Sequence, residues 1–374
     1  MSRKTRSSLS IALAVAALAC ACDEKKPPSD SPQPDASAGN DKYATADPKL
    51  AKALQAAASA TASNENGPPP DGIFPPGVGN QRHAAGVPTK IDIVSDGSDP
   101  RISVEPTASA PASWYGVGAL RLALQMGQRV AMPTIDLALA LGPAKKDEGG
   151  ADLLLIEFKK ASPDKEQLGQ LPPGTDKEIA SLEGTQVRMK VTPDGRESDL
   201  QVMLGKSAHP ELERLAQSAA EAIVFAMVPL PTKPVGVGAQ WIAETRMPLS
   251  GVDTISYRAY RIKSITGNRV HLTVDVKSYA TTADVQLQGV PKGATLEQFE
   301  AEAQGEMELV RGEALARMSD VQQRVVMVFG TEGAPTPPAQ PGQPPANKLT
   351  AQLQEQATLV RGEDLRAAMK PSAP

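Results

Sequence analysis

Leu230-Pro-Thr-Lys-Pro-Val-Gly-Val-Gly-Ala-Gln-Trp-Ile-Ala-Glu-Thr245 decides how the rest of the chain is read. Two prolines, Pro229 and Pro231, stop whatever helix precedes it, because proline lacks the N–H that a helix needs. Residues with strand propensity follow it. Between them, Gly236 and Gly238 read as turn residues that bring the helix end close to a sheet. Trp241, one of two tryptophans in the chain, is expected as a structural anchor in the core.

On the upstream side, Pro210 suits the first helical position, and Glu211 and Glu213 suit the positive end of the helix dipole. Leu212, Leu215, Ala216, Ala219, Ile223, Ala226 and Met227 recur at three-four spacing. Arg214, Gln217, Ser218 and Glu221 fall opposite them, so the expectation is a helix with one buried and one solvated face.

Period-two alternation, the mark of strands with one buried face, fills most of the remainder. Leu120, Leu122, Leu124 and Met126 alternate with polar or small residues, as do Ile135, Leu137, Leu139 and Leu141. Leu153–Phe158 is apolar in both phases apart from Glu157. Val187–Val191 and Leu200–Leu204 flank a Pro193-Asp194-Gly195 turn. Beyond the opening stretch come Gln240–Met247, Thr254–Ile265 and Val270–Val276. Glu306–Arg311, Arg324–Phe329 and Leu349–Arg361 follow. Thr295 with Gln298 resembles a capping box, which predicts a short helix over Leu296–Ala303. Leu309-Val310-Arg311-Gly312-Glu313 is repeated at Leu359-Val360-Arg361-Gly362-Glu363; two copies read as similar strand ends turning out at a glycine. The fold class is α+β: a curled antiparallel sheet of about ten strands packed on one main helix and half-barrel-like, since so many strands with one buried face do not lie flat.

The boundaries follow composition. Residues 1–22 carry Arg3, Lys4 and Arg6, the apolar run Leu9–Leu18, and small residues before a cysteine, which resembles a bacterial lipoprotein signal. Cys20 or Cys22 is the expected lipidation site, with Cys20 favoured because Leu18 and Ala19 sit better before the cut. Residues 23–112, rich in Pro, Ala, Ser, Gly, Asn and Asp, read as a disordered tether. One short helix is plausible after Asp47, and short strands at Ile91–Val94 and Ile102–Val104. Residues 113–330 form the sheet-and-helix domain, 331–347 a proline-rich loop, and 348–374 the final strand and tail.

The chain has 43 acidic and 39 basic residues, and three of the latter lie in the leader. A basic face for nucleic acid is not expected. Both cysteines are in the leader, so the domain has no disulfide framework, thiol nucleophile or cysteine metal site. His83, His209 and His271 are far apart in sequence and read as surface residues. Asp92, Asp96 and Asp99 miss the spacing of a calcium loop. Gly236-x-Gly238 lacks the third glycine of a dinucleotide site, and Gly205-Lys206-Ser207 lacks the first glycine of a phosphate loop. Glu300, Glu302, Glu306, Glu308 and Glu313 read as a solvated face, with paired catalytic carboxylates the lesser alternative. No catalytic residue, cofactor or metal is expected.

Pro234-Val-Gly-Val-Gly-Ala-Gln-Trp241, with Leu-Pro before it and strands after, resembles a family of uncharacterised bacterial envelope proteins that open a strand with Val-Gly-x-x-Trp. The likeness covers 116–329 and implies an exported protein, often a lipoprotein. The expected function is a non-enzymatic lipoprotein, held to the membrane by its lipid anchor and facing the periplasm from the outer membrane, whose sheet binds a hydrophobic ligand. The alternative is a structural component that docks on other envelope proteins. An open aliphatic trough would favour the first, and a closed, filled core the second.

Overall fold

The computed structural model describes residues 69–105, 116–127, 130–143, 152–192, 195–285, 287, 290–330 and 348–362. Cys20, Cys22, the segment up to residue 68 and the loop 331–347 lie outside the described residues. Thirteen strands form one sheet. They are β1 (Lys90–Ser95), β2 (Gly116–Met126), β3 (Val130–Ala131), β4 (Ile135–Pro143), β5 (Asp152–Pro163), β6 (Gln186–Val191) and β7 (Glu197–Met203). After the main helix come β8 (Gln240–Leu249), β9 (Val252–Thr266), β10 (Arg269–Ala280), β11 (Thr295–Val310), β12 (Met318–Gly330) and β13 (Lys348–Arg361). The order is β1-β8-β9-β10-β11-β12-β13-β2-β4-β5-β6-β7, with β3 paired to β2. The sheet is larger than the expected ten strands, because β1 hides in the stretch read as tether and β3 is two residues long.

A flat sheet of this size would be roughly 50 Å across at ~4.8 Å per strand. Its two ends nevertheless meet. Glu197, at the start of β7, accepts hydrogen bonds from Arg258 of β9 and Thr245 of β8. Thr89, just before β1, donates to the Glu197 carbonyl at 3.4 Å. The sheet therefore bends back on itself, and side chains, not a backbone ladder, bridge the gap between its edges.

Among the described residues the α-helices are α1 (Val78–Arg82), α2 (Thr175–Ala180) and α3 (Glu213–Ala226). Inside the bend lies α3, with 11 of its 14 residues buried. Its expected solvated face is mostly covered: Ser218 is 2% and Glu221 1% exposed, while Arg214 and Gln217 are half-buried. The reason is enclosure. The helix touches β7, β8, β12 and β13, and alanines at 216, 219, 220, 222 and 226 let strands approach from several directions. A helix surrounded in this way has no polar side.

The short helix expected at Leu296–Ala303 is instead part of β11, a 16-residue strand. Phe299, Ala301 and Ala303 are buried while Glu300 and Glu302 are half-exposed. Pairing with β10 and β12 overrides the helix propensity of this Ala/Glu-rich run.

Part of the expected tether is also folded. β1 pairs with β8 from Lys90↔Glu244 to Ser95↔Gln240. Before it, α1 (Val78–Arg82) and Phe74 cover the outer face of β8–β10, where Ile242, Ile255, Tyr257, Ala259 and Tyr279 form a second apolar cluster. Arg82 donates to the Tyr257 hydroxyl at 2.9 Å and lies over the Phe74 ring. His83, expected at the surface, is 1% exposed and hydrogen-bonds Glu244 and the Val87 carbonyl, each at 3.0 Å.

Candidate functional site

The joint that opened the sequence reading leads into this enclosed interior. Trp241 is 1% exposed, stacks on Tyr260 with ring centroids 5.3 Å apart, and donates its indole N–H to the Pro229 carbonyl at 2.8 Å. One side chain thus links the strand to the chain just after α3. Gly238 has φ +82, a conformation open to glycine. Gly236 serves a different need from the one expected. A Cβ there would lie 1.7 Å from the Ser98 carbonyl oxygen, and its N–H donates to Asp96 at 2.8 Å. The close neighbour is the 96–98 loop, which nothing in the opening motif names. Asp96 of that loop and Asp99 just beyond it pair with Arg101.

Beside the joint, Arg258 has no exposed side-chain surface. It donates to Glu197 and Thr245, and to the carbonyls of Val224 and Met227 at 3.2 and 3.3 Å. Those carbonyls end α3, so the guanidinium sits at the negative end of the helix dipole. Burial, the largest single influence, lowers the arginine's pKa, but the charges and hydrogen bonds of Glu197 and Tyr260 together outweigh it and leave it raised.

A cavity of about 760 Å³, partly open to solvent, lies at one end of the sheet. Val117, Ala140, Leu141, Leu155 and Val310 supply its apolar lining. Leu155 occupies the outward phase of β5, which explains why that strand reads as apolar on both faces. Glu157, Lys159, Glu313, Arg317 and Arg361 supply the charge. Glu157 pairs with Lys159 at 2.7 Å, Arg317 with Glu308 at 3.0 Å, and Arg361 with Glu313.

Both copies of the repeated pentapeptide contribute: Val310 and Glu313 from the first, Arg361 and Gly362 from the second. The recurrence in sequence is the signal that could have found this site. Of the acidic group singled out there, Glu313 reaches the cavity and Glu308 is buried at 6% exposure between Arg269 and Arg317. Glu300, Glu302 and Glu306 lie elsewhere along β11. His209 is exposed, and His271 lies 3.4 Å from Glu308. Among the described residues, no cluster of three or more His, Cys, Asp or Glu is arranged to hold a metal.

No family model matches the chain, and no curated protein does. Among solved structures, OpdL of Pseudomonas aeruginosa aligns at 11% identity over 67% of this chain and 98% of that one, with a TM-score of 0.14. A likeness at that level carries no argument about fold or function.

Proposed function

We propose that this chain is a non-enzymatic envelope lipoprotein, anchored through Cys20 or Cys22, whose domain takes the apolar part of a small ligand into the cavity at the end of the sheet. The observation that carries this reading is the cavity itself. Its ~760 Å³ volume and aliphatic lining fall within the usual range of ligand pockets, roughly 300–1,000 Å³. The curl of the sheet is not an open trough, because α3 fills it. The ligand site moves from the middle of the half-barrel to its end.

The filled interior is the one feature that supports docking on another envelope protein instead. That alternative needs an apolar surface, and the exposed large apolar residues among those described, Val87, Val94, Val117, Leu168, Val237 and Met318, come from six separate segments of the chain.

The test is uptake of a fluorescent fatty acid by delipidated, refolded protein, together with mass spectrometry of the protein as purified. Val117 is 45% exposed at the cavity wall, so Val117→Trp should narrow the cavity without disturbing the core. Uptake should fall roughly tenfold or more in this variant. If the wild type carries no lipid and takes up none, the ligand reading is wrong. The anchor is tested separately by intact mass of wild type, Cys20→Ser and Cys22→Ser; a wild type without acyl mass removes it.

A further inference from the structure

Glu355 occupies an inward position of β13, between Leu353 and Ala357, and is 5% exposed. Its ladder partner on β12 is Gln323, 6% exposed. Glu221 of α3 faces this pair. The Gln323 amide lies beside its carboxyl, and its charge acts on Glu355. One oxygen of Glu221 accepts the Ser250 N–H at 2.7 Å. The other Glu221 oxygen, Oε2 of Glu355, both ends of the Gln323 amide and the Ser250 hydroxyl have no protein hydrogen-bond partner. These orphaned atoms come from the helix, two strands and the β8–β9 turn, and they are all buried.

Two acids in one buried site cannot both ionise cheaply. Half-buried Arg214, about two turns back along α3, is the cation that acts on both. It offsets one negative charge and leaves the second. A single proton removes the second charge. It also turns a carboxyl oxygen into a donor that can pair with the other carboxylate or the Gln323 amide oxygen, both left without a partner.

We infer that Glu221 and Glu355 form one proton-binding site tying α3 to β12 and β13, and that loss of the proton loosens the helix from the sheet. Other groups facing the site are Ser218, Gln323 and Ser250, none of which titrates in this range. Burial pushes the Glu221 carboxyl up to about 8, against the Ser250 N–H and Arg214, which pull it down. Burial first, and the Glu221 charge second, push Glu355 well above the ordinary carboxylate range. The sign follows from proton counts. Above about 4.5 the unfolded chain has released a proton that the folded chain keeps until about 8. Stability therefore falls as pH rises through that interval and levels off above it.

The experiment uses the full-length mature chain and Glu355→Gln, with denaturant midpoints and hydrogen exchange of the α3 amides measured from about pH 5 to about pH 9. The wild-type midpoint and the protection of the α3 amides, taken relative to their intrinsic exchange rate at each pH, should both fall across this range, with both trends flattened in the variant. Parallel profiles in the two proteins would overturn the inference. Should Glu355→Gln not fold, the infrared spectrum of the wild type decides. A protonated-carboxyl band present at neutral pH and lost in alkali supports the site, and its absence at neutral pH rejects it.

Discussion

Arg361 of β13 donates to the carboxylate of Glu313, so one copy of the repeated pentapeptide supplies the cation and the other the anion of a single ion pair. The Arg361 side chain also donates to the Leu315 carbonyl at 3.2 Å, and burial lowers its pKa. The two copies are not equivalent in use. Arg311, at the matching place in the first copy, reaches the Ser103 carbonyl at 2.8 Å instead. Arg361→Ala leaves Glu313 and Leu315 without this donor at the cavity wall. It should lower stability by about 1–3 kcal/mol in urea denaturation, and Glu313→Gln, which keeps an acceptor, should cost less.

Trp241 combines packing with a hydrogen bond, and two substitutions separate them. Trp241→Ala should cost about 3–5 kcal/mol. Trp241→Phe keeps much of the volume but strands the Pro229 carbonyl, so about 1–3 kcal/mol is expected. Equal losses in calorimetry would show that packing alone matters.

Glu197 and Arg258 should behave as a buried pair. Removing one partner leaves a charge in a dry site, so Glu197→Gln is expected to destabilise by about 3–5 kcal/mol. The double replacement Glu197→Leu with Arg258→Met should recover a large part of that loss. A double-mutant cycle that shows simple additivity would mean the two groups act independently.

The two glycines of the joint should respond differently to the same methyl group. Gly238→Ala meets no atom within 4 Å and suffers only from its positive φ, a loss of roughly 1–2 kcal/mol. Gly236→Ala would collide with the Ser98 backbone and must displace the 96–98 loop, at about 3 kcal/mol or more. Thermal melts of both variants measure the difference.

The strands and the main helix were legible because alternation and three-four spacing report burial directly. Leu120, Leu122 and Leu124, for example, face inward as their phase requires. Glu221 was misplaced because helix periodicity assumes a solvent side, and an enclosed helix has none. Glu355 carried a usable signal, since it stands in the inward phase of Leu353, Ala357 and Leu359, where a carboxyl is out of place. Within residues 69–105 the strand at Ile91–Val94 was legible and is β1, whereas the packing of Phe74 and Val78–Arg82 onto the sheet was not. Their apolar side chains cover an outer face of the sheet, and composition rich in proline and glycine says nothing about a partner supplied by distant strands. The cavity depends on chain segments near 117, 140, 155, 310 and 361, which no local pattern brings together.

The position of β13 gives the fold a dependence on order of synthesis. It is the last strand in the described chain, yet it lies between β12 and β2 and is the sole ladder between the β8–β12 side of the sheet and the β2–β7 side. Until residues 348–361 emerge, the two sides have no shared strand, and the Glu355 and Arg361 contacts do not exist. The central pairing thus forms last and between residues far apart in sequence, as with Leu120↔Leu359, a topology that folds slowly. A premature stop before residue 348 would leave two open half-sheets.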